Sequence, residues 1–307
     1  MKVCLIGNNL TSLILAYILS KKNFHVEIHS VESSKYNFKT RTLGITNYNL
    51  NYLANYFKNI SKKTNPISEI KVLIKNKKVN EEILFNQNLA TLFNMIKYDD
   101  LISYIRSKTR KNNFISFKYI KKNSDIIYLK NKQKYKLIIN CDLNNQITKR
   151  YFYKKFNKNY NSLAYTTIID HDKLNNTVAS QIFTKNGPIA YLPVSNKQTS
   201  IVYSFRNRKK DINLHSLIKR YNPKYKNIKL REVNTFELKS TNLRSYYYKN
   251  IIAFGDLLHR LHPLAGQGFN MTIRDIKEIH NLIRFKKEHG LDLDSSICFD
   301  FEKNVRN

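Results

Sequence analysis

Residues 250–275, NIIAFGDLLHRLHPLAGQGFNMTIRD, bring together residue types whose spacing can do chemistry. The run reads as a short apolar strand from Ile251 to Phe254, then Gly255-Asp256, then a loop with Pro263, Gly266 and Gly268, and a helix over Phe269 to Phe285. A strand, a glycine loop and a helix in that order present unpaired backbone N–H groups and a positive helix end, because the first helical turn has no internal acceptors for its donors. An anionic or oxygen-rich ligand suits such a place. Asp256, held just after a buried strand, adds a carboxylate that accepts hydrogen bonds from ligand hydroxyls.

Other elements must hold this stretch in position. At the N-terminus, Lys2 to Ile6 alternates into a strand, Gly7-Asn8-Asn9 turns, Leu10 to Lys21 has apolar residues at helical spacing, and Val26 to His29 is a second strand. This is a βαβ opening. Further on, Ile70 to Ile74 and Val79 to Phe85 form a hairpin around Lys75-Asn76-Lys77-Lys78. Tyr98 to Arg110 reads as a helix with Asp99 and Asp100 in its first turn, where carboxylates suit the positive end. Phe114 to Tyr119, Asp125 to Leu129 and Tyr135 to Asn140 read as three strands. A helix around Ile212 to Tyr221 and a strand from Asn227 to Leu238 follow, with a last helical segment over Asp294 to Arg306.

With these residues in view, the chain resembles the flavin monooxygenases built like para-hydroxybenzoate hydroxylase, and within them the ring hydroxylases of ubiquinone biosynthesis. Gly255, Asp256, His259, His262, Pro263, Gly266, Gln267, Gly268, Asn270, Arg274 and Asp275 fall on their second flavin motif, with Leu257-Leu258 where the family has two alanines. Residues 179–193, ASQIFTKNGPIAYLP, resemble the family's substrate sheet. The resemblance implies that the βαβ opening holds the ADP half of FAD through Gly7, Asn9 and Leu10, at positions where the family has G-x-G-x-x-G. Here those positions read Gly7-Asn8-Asn9-Leu10-Thr11-Ser12, and the acidic residue expected for the ribose falls at Ser30, with Glu32 two residues late. The resemblance also places Arg41 near the flavin and its phosphates. By the same resemblance Asp142, in a segment where Leu143, Gln146 and Lys149 replace the family's Gly, Ser and Arg, is expected to contribute to flavin and pyridine-nucleotide contacts.

The fold class expected is α/β: a Rossmann-like FAD-binding domain made of residues 1–65, 98–150 and 245–307, with an inserted, mainly antiparallel β-sheet substrate domain made of 66–97 and 151–244. The cofactor-binding set is Gly7, Asn9, Leu10, Arg41, Asp142, Gly255, Asp256, Pro263, Gly266, Gln267, Gly268 and Asn270. No metal is expected. The activity implied is hydroxylation of a polyprenylated phenol, with NAD(P)H reducing FAD and a C4a-hydroperoxide delivering oxygen. A degenerate relative that keeps the fold and serves as a partner subunit is the alternative. Leu257 and Leu258 lie where the resemblance puts the ribityl chain, so their bulk implies looser FAD binding.

Composition narrows the partners. The 307 residues carry 54 Lys+Arg against 22 Asp+Glu, a formal net charge of +32, and 42% hydrophobic residues. A chain so apolar buries a core and fits about two domains. The lysines are spread along the whole chain among many Asn, Ile and Tyr, without zinc-finger spacing or a basic-region helix, so no nucleic acid is expected. An anionic membrane surface and other ubiquinone-pathway proteins remain as partners. Three isolated cysteines without metal spacing point to a reducing compartment, and the N-terminal apolar run breaks too soon for a signal sequence. The location expected is cytoplasmic, with peripheral attachment at the inner face of the plasma membrane left open.

Overall fold

The computed structural model describes residues 2–31, 40–75, 80–86, 91–131, 135–206, 212–260 and 267–306. The chain opens with β1 (Lys2–Ile6), α1 (Leu10–Ser20), β2 (His25–Val31), β3 (Thr42–Thr46), α2 (Asn47–Ala54) and β4 (Asn65–Ile67). An antiparallel pair, β5 (Glu69–Lys75) and β6 (Asn80–Asn86), precedes β7 (Phe93–Lys97), α3 (Tyr98–Arg110), β8 (Ile115–Ile120), β9 (Ile138–Asn140) and α4 (Gln146–Tyr151). Then come β10 (Lys155–Asp170), β11 (Val178–Thr184), β12 (Gly187–Ser195), β13 (Gln198–Phe205), α5 (Leu214–Tyr221), β14 (Lys229–Leu230) and β15 (Asn234–Leu243). The last elements are β16 (Tyr247–Tyr248), β17 (Ile251–Ala253), β18 (His259–Arg260), α6 (Gln267–Glu288) and α7 (Ser295–Arg306).

One sheet has six strands in the order β16-β17-β9-β1-β2-β8. All its neighbours are parallel except β16 on β17. Strands of this kind are covered on both faces and read as unbroken apolar runs; Val3, Cys4, Leu5 and Ile6 are all fully buried. Helix α1 is apolar on nearly every side because it packs on the sheet and also against α3 and α6.

The second sheet has nine strands, β18-β15-β10-β13-β12-β11-β5-β6 with β14 beside β10, and only the β11–β5 pairing is parallel. Helix α5 covers one face, where Leu214 and Ile218 pack on Ile182, Ile189, Tyr191 and Ile201. A small sheet, β3-β7-β4, lies between the two large ones: Ile67 and Met95 pack on Ala179, with Leu192 and Val194 of the nine-stranded sheet against them. The α/β class expected from the sequence is the one observed.

The run Asp125 to Leu129, expected as a strand, is instead part of a 3-10 helix over Asn123–Asn131. Its buried side chains are Ile126 and Leu129, three residues apart, which is the eclipsed spacing of a 3-10 turn and not the alternation of a strand. The strand expected over Asn227 to Leu238 forms later, as the short β14 and then β15.

Candidate functional site

The parallel sheet brings the carboxyl ends of three strands into line: Ile6 pairs with Asn140, and Asn140 with Ala253. Cys141 N–H donates to the Ile6 carbonyl and Phe254 N–H to the Asn140 carbonyl, both at 2.8 Å, so the chain leaves β1, β9 and β17 at one level. Gly7, Asp142 and Gly255 therefore converge, although 248 residues of sequence separate the first from the last. In open α/β sheets this edge is where ligands bind.

Two of these glycines are fixed by close approach. Gly7 has φ +106°, and a Cβ there would lie 3.2 Å from Asp142 Cβ. Gly255 has φ +64°, and its Cβ would come 3.0 Å from Thr11 Cγ2, so the 3-10 turn Gly255–Leu257 lies directly against the start of α1. Asp142 closes its own turn, one carboxylate oxygen accepting Asn144 N–H at 2.9 Å while its carbonyl accepts the Thr148 hydroxyl at 2.6 Å.

Asn9, which stands where the family has a glycine, turns its side chain back onto the protein. Its backbone is extended, its Oδ1 caps α1 by accepting Ser12 N–H at 3.1 Å, and its Nδ2 donates to the Cys141 carbonyl at 2.7 Å. Ser12 completes a capping box by accepting Asn9 N–H. Leu10 is 4% exposed and offers a ligand only its backbone, whose N–H donates toward the Tyr98 hydroxyl. Ser30 is buried at 9% exposure, and Glu32 lies outside the described residues.

Arg41 stands opposite, at the entrance to β3. Its guanidinium lies 4.9 Å over the Tyr98 ring and its Nη2 is 3.9 Å from Asp256 Oδ2. The Arg41 carbonyl accepts Tyr98 N–H at 2.9 Å, which fixes the start of α3 to this corner. Tyr98 is thus a member of the site that sequence reasoning missed, for no local pattern marks the first residue of a helix as facing Arg41 and Asp256. Burial raises its hydroxyl above the ordinary range, Arg41 pulls it down and Asp256 pushes it up. The Arg41–Asp256 pair is 43% and 51% exposed, so it is screened and contributes little to stability. Both side chains are partly exposed.

At the start of α6, Gln267 is exposed, and among the described residues nothing outside the helix and the chain neighbours lies within 4 Å of where a Gly268 Cβ would be. Asn270, expected as a ligand, spends its side chain on protein partners: Nδ2 donates to the Gly44 carbonyl at 2.8 Å, and Oδ1 accepts Thr46 N–H at 3.0 Å and Asn49 Nδ2 at 2.8 Å. It locks α6 to β3 and α2. A second lock is the buried contact between His259 Nε2 and Asp275 Oδ2 at 3.0 Å, which joins β18 to α6. Pro263 and Gly266, with His262, lie outside the described residues.

Leu257 and Leu258 overturn the expectation of crowding. They are 1% and 0% exposed and belong to the large core with Phe254, Ile273 and Ile276, so they offer no surface to a ligand. The turn at Gly255 swings them inward and leaves Asp256 outward. The three cysteines are also buried; burial raises the Cys141 thiol and pushes Cys298 up to about 12. Among the described residues no group of three or more His, Cys, Asp or Glu could hold a metal ion, and no helix is long and apolar enough to cross a membrane.

No model of a protein family matches the chain. Among curated proteins it is similar to the mitochondrial ubiquinone biosynthesis monooxygenase COQ6 of Drosophila melanogaster, 27% identical over 184 residues, which is 46% of this chain and 39% of that protein. It is also similar to the 3-demethoxyubiquinol 3-hydroxylase of Escherichia coli strain K12, 27% identical over 118 residues, 36% of this chain and 30% of that one. Less than half of each relative's length is thus matched. Among solved structures, PqsL of Pseudomonas aeruginosa, described as a probable FAD-dependent monooxygenase, superposes with a TM-score of 0.74 and 14% identity, covering 99% of this chain and 91% of that one. The sequence resemblance to ubiquinone-pathway monooxygenases is therefore found again by similarity, and the fold is that of an FAD-dependent monooxygenase.

Proposed function

We propose that the chain is an FAD-dependent monooxygenase that hydroxylates the ring of a polyprenylated phenol, with NAD(P)H as reductant. The observation that carries this reading is the convergence of Gly7, Asp142, Gly255 and Asp256 at the carboxyl ends of β1, β9 and β17, with Arg41 beside Asp256.

The residues fit FAD better at its flavin end than at its nucleotide end. At the flavin end, the outward Asp256 carboxylate would accept ribityl hydroxyls, the Arg41 guanidinium would meet phosphate oxygens, and the positive end of α6 at Gln267 and Gly268 would stabilise negative charge on the ring system. Among the described residues, the buried acceptor Asn8 Oδ1, one residue after Gly7, has no hydrogen-bond partner. Gly7 lets the backbone come close where a side chain would collide with Asp142. Bound FAD would supply the redox chemistry, accepting a hydride and activating dioxygen. The protein orients the phenol between this corner and the nine-stranded sheet and keeps water out.

At the nucleotide end, Asn9 and Tyr98 already occupy two first-turn donors of α1, which favours the second reading, a non-catalytic relative acting as a partner subunit. Purified protein separates the two. A flavin absorption band that persists through gel filtration, or saturable binding of added FAD, is the outcome the first reading requires; a colourless protein that leaves added FAD free in solution overturns it. Attachment to anionic lipid, motivated by the net charge of +32, is tested by vesicle binding that weakens with salt, because exposed charges are screened beyond roughly 8 Å at physiological ionic strength. Equal binding to neutral vesicles refutes it.

A further inference from the structure

Where the two large sheets meet, the end of α4, the start of β10, the end of β15 and the end of α7 form one surface of rings and cations. In sequence it is two stretches, KRYFYKKFNK over 149–158 and RSYYYK over 244–249, with five Lys or Arg in the first, two in the second, and no Asp or Glu in either. One ring of each stretch goes inward: Phe152 is 1% and Tyr246 3% exposed. Others stay outside, Tyr153 at 63% and Phe156 at 62%.

Arg244 ties the stretches together. Its N–H donates to the Lys154 carbonyl at 3.0 Å, its guanidinium lies 5.3 Å over the Phe156 ring, and its carbonyl accepts a hydrogen bond from Arg306 of α7. Arg150 stands over Tyr151, Lys154 over Tyr153, Lys249 over Tyr248 and Arg306 over Tyr246, at 5.7, 5.8, 5.9 and 4.8 Å from the ring centres. Tyr151 and Tyr248 stack on each other at 4.1 Å. The carboxylate of Glu302 is spent on the protein, accepting Tyr246 N–H at 3.1 Å and pairing with Arg306 at 2.9 Å.

The net charge of +32 is spread over the chain and by itself selects no surface. Exposed rings held beside cations do select one. A cation is content with a phosphate, whereas an exposed ring gains only where the partner turns apolar just beneath its charged surface. A bilayer has that order, with anionic headgroups outside and hydrocarbon below, and aromatic rings collect at the boundary. Nucleic acid also offers phosphate, but it takes aromatic side chains by stacking bases on open ring faces. Here Tyr151 and Tyr248 cover one another, and Lys154 and Arg244 stand over Tyr153 and Phe156.

We infer that this surface docks the protein on an anionic phospholipid bilayer, with Tyr153 and Phe156 entering the headgroup boundary and Arg150, Lys154 and Lys249 meeting lipid phosphates. The inference rests on the reading that the chain attaches to anionic lipid and gives that attachment a place; it does not depend on the flavin.

The chain has no tryptophan, so a single introduced one reports on its surroundings. In the full chain, Phe156→Trp emission should shift to the blue, and be quenched by brominated lipid, when vesicles of equimolar phosphatidylcholine and phosphatidylglycerol are added. Tyr119→Trp is the control: Tyr119 is 68% exposed on β8, at the opposite edge of the six-stranded sheet from β16, and its replacement should not respond. Affinity is read by vesicle sedimentation. Arg150→Gln/Lys154→Gln/Lys249→Gln, three exposed positions, should bind on the order of a hundredfold more weakly, at about fivefold per cation beside an anionic surface. Lys62→Gln/Lys63→Gln/Lys108→Gln removes the same charge beside α3 and should lose about threefold at most, since distant charges are screened. Equal losses in the two triple variants, or a shift in Tyr119→Trp as large as in Phe156→Trp, overturn the docking surface and leave attachment to lipid standing. A wild-type chain that does not bind the anionic vesicles overturns both. If Phe156→Trp responds to a single-stranded oligonucleotide at a lower phosphate concentration than to the vesicles, the surface reads nucleic acid and the inference is wrong.

Discussion

The two helix starts that face the site differ in what their described residues do. Helix α1 begins with a full set of internal caps: Asn9 on Ser12, Ser12 on Asn9, Asn9 on Cys141, and Leu10 against Tyr98. At the start of α6, among the described residues, nothing outside its own helix and chain neighbours comes within 4 Å of where a Gly268 Cβ would be, and Asn270 turns its side chain away to hold β3 and α2. A helix end capped by its own side chains is rigid and has less to offer an anion; an end left open is costly alone and receptive to a ligand. Among the described residues, the same sheet edge thus holds a closed corner at α1 and an open one at α6.

Breaking the core beneath the open corner has the largest effect. Leu258→Ala removes a fully buried side chain from the main core and should cost ~2–5 kcal/mol, read by denaturant unfolding. FAD affinity should not tighten; a tighter-binding variant would restore the crowding that the structure denies. Gly7→Ala comes next: the added methyl meets Asp142 at a backbone angle that side chains avoid, a strain of about 1–3 kcal/mol, and both stability and FAD binding should fall.

Asp256→Ala tests the open corner alone. Its carboxylate is exposed, so the melting temperature should stay within a degree or two while FAD affinity drops about tenfold, ~1.4 kcal/mol. Unchanged affinity removes Asp256 from the site. Asn9→Gly tests the closed corner from the other direction. Loss of the capping hydrogen bonds should cost about 1 kcal/mol of stability, and FAD affinity should rise as α1 regains a bare first turn. A fall in affinity would show that the cap belongs to the binding surface.

The smallest effect is one of pH. His280 on α6 is 4% exposed, and burial, then Arg284 and Lys22, hold its imidazole down to about 4 from an ordinary value of 6.5. Between those values the unfolded chain binds a proton that the folded chain refuses, so stability is full above pH 6.5 and is lost as pH falls toward 4. His280→Leu should flatten that part of the stability curve; an unchanged slope would assign the acid sensitivity elsewhere.

Much of this frame is legible in the sequence because its signals are local. β1 and α3 fall on the residues that alternation and helical spacing mark, and Gly255-Asp256 stands just after its apolar strand. What is not legible depends on direction and distance. Whether Leu257 and Leu258 line a ligand or fill the core turns on the backbone angle at Gly255 and its contact with Thr11, which sequence spacing does not encode. Asn9 replaces a glycine in the motif, and only its distant partner, the Cys141 carbonyl, shows that its side chain turns inward. Asn270 matches the motif and yet serves as a lock, since its partners lie more than 200 positions earlier in the chain. Asp125 to Leu129 misleads because a short apolar run fits a strand and a 3-10 turn alike.

The nine-stranded sheet joins distant parts of the chain: β5 near residue 70 lies parallel to β11 near residue 180, and β18 near residue 260 closes the other edge. The six-stranded sheet is equally scattered, since β9 stays uncovered on one side until β17 arrives. Each pairing closes a long loop before any contact rewards it, so folding is expected to be slow and late. During synthesis, β1, β2 and β9 emerge with apolar strands waiting on residues not yet made, and the exposed apolar edge of β6 waits with them. Production of this protein should therefore be limited by the kinetics of assembly and by chaperone supply, with lower growth temperature raising the yield more than any single stabilising substitution.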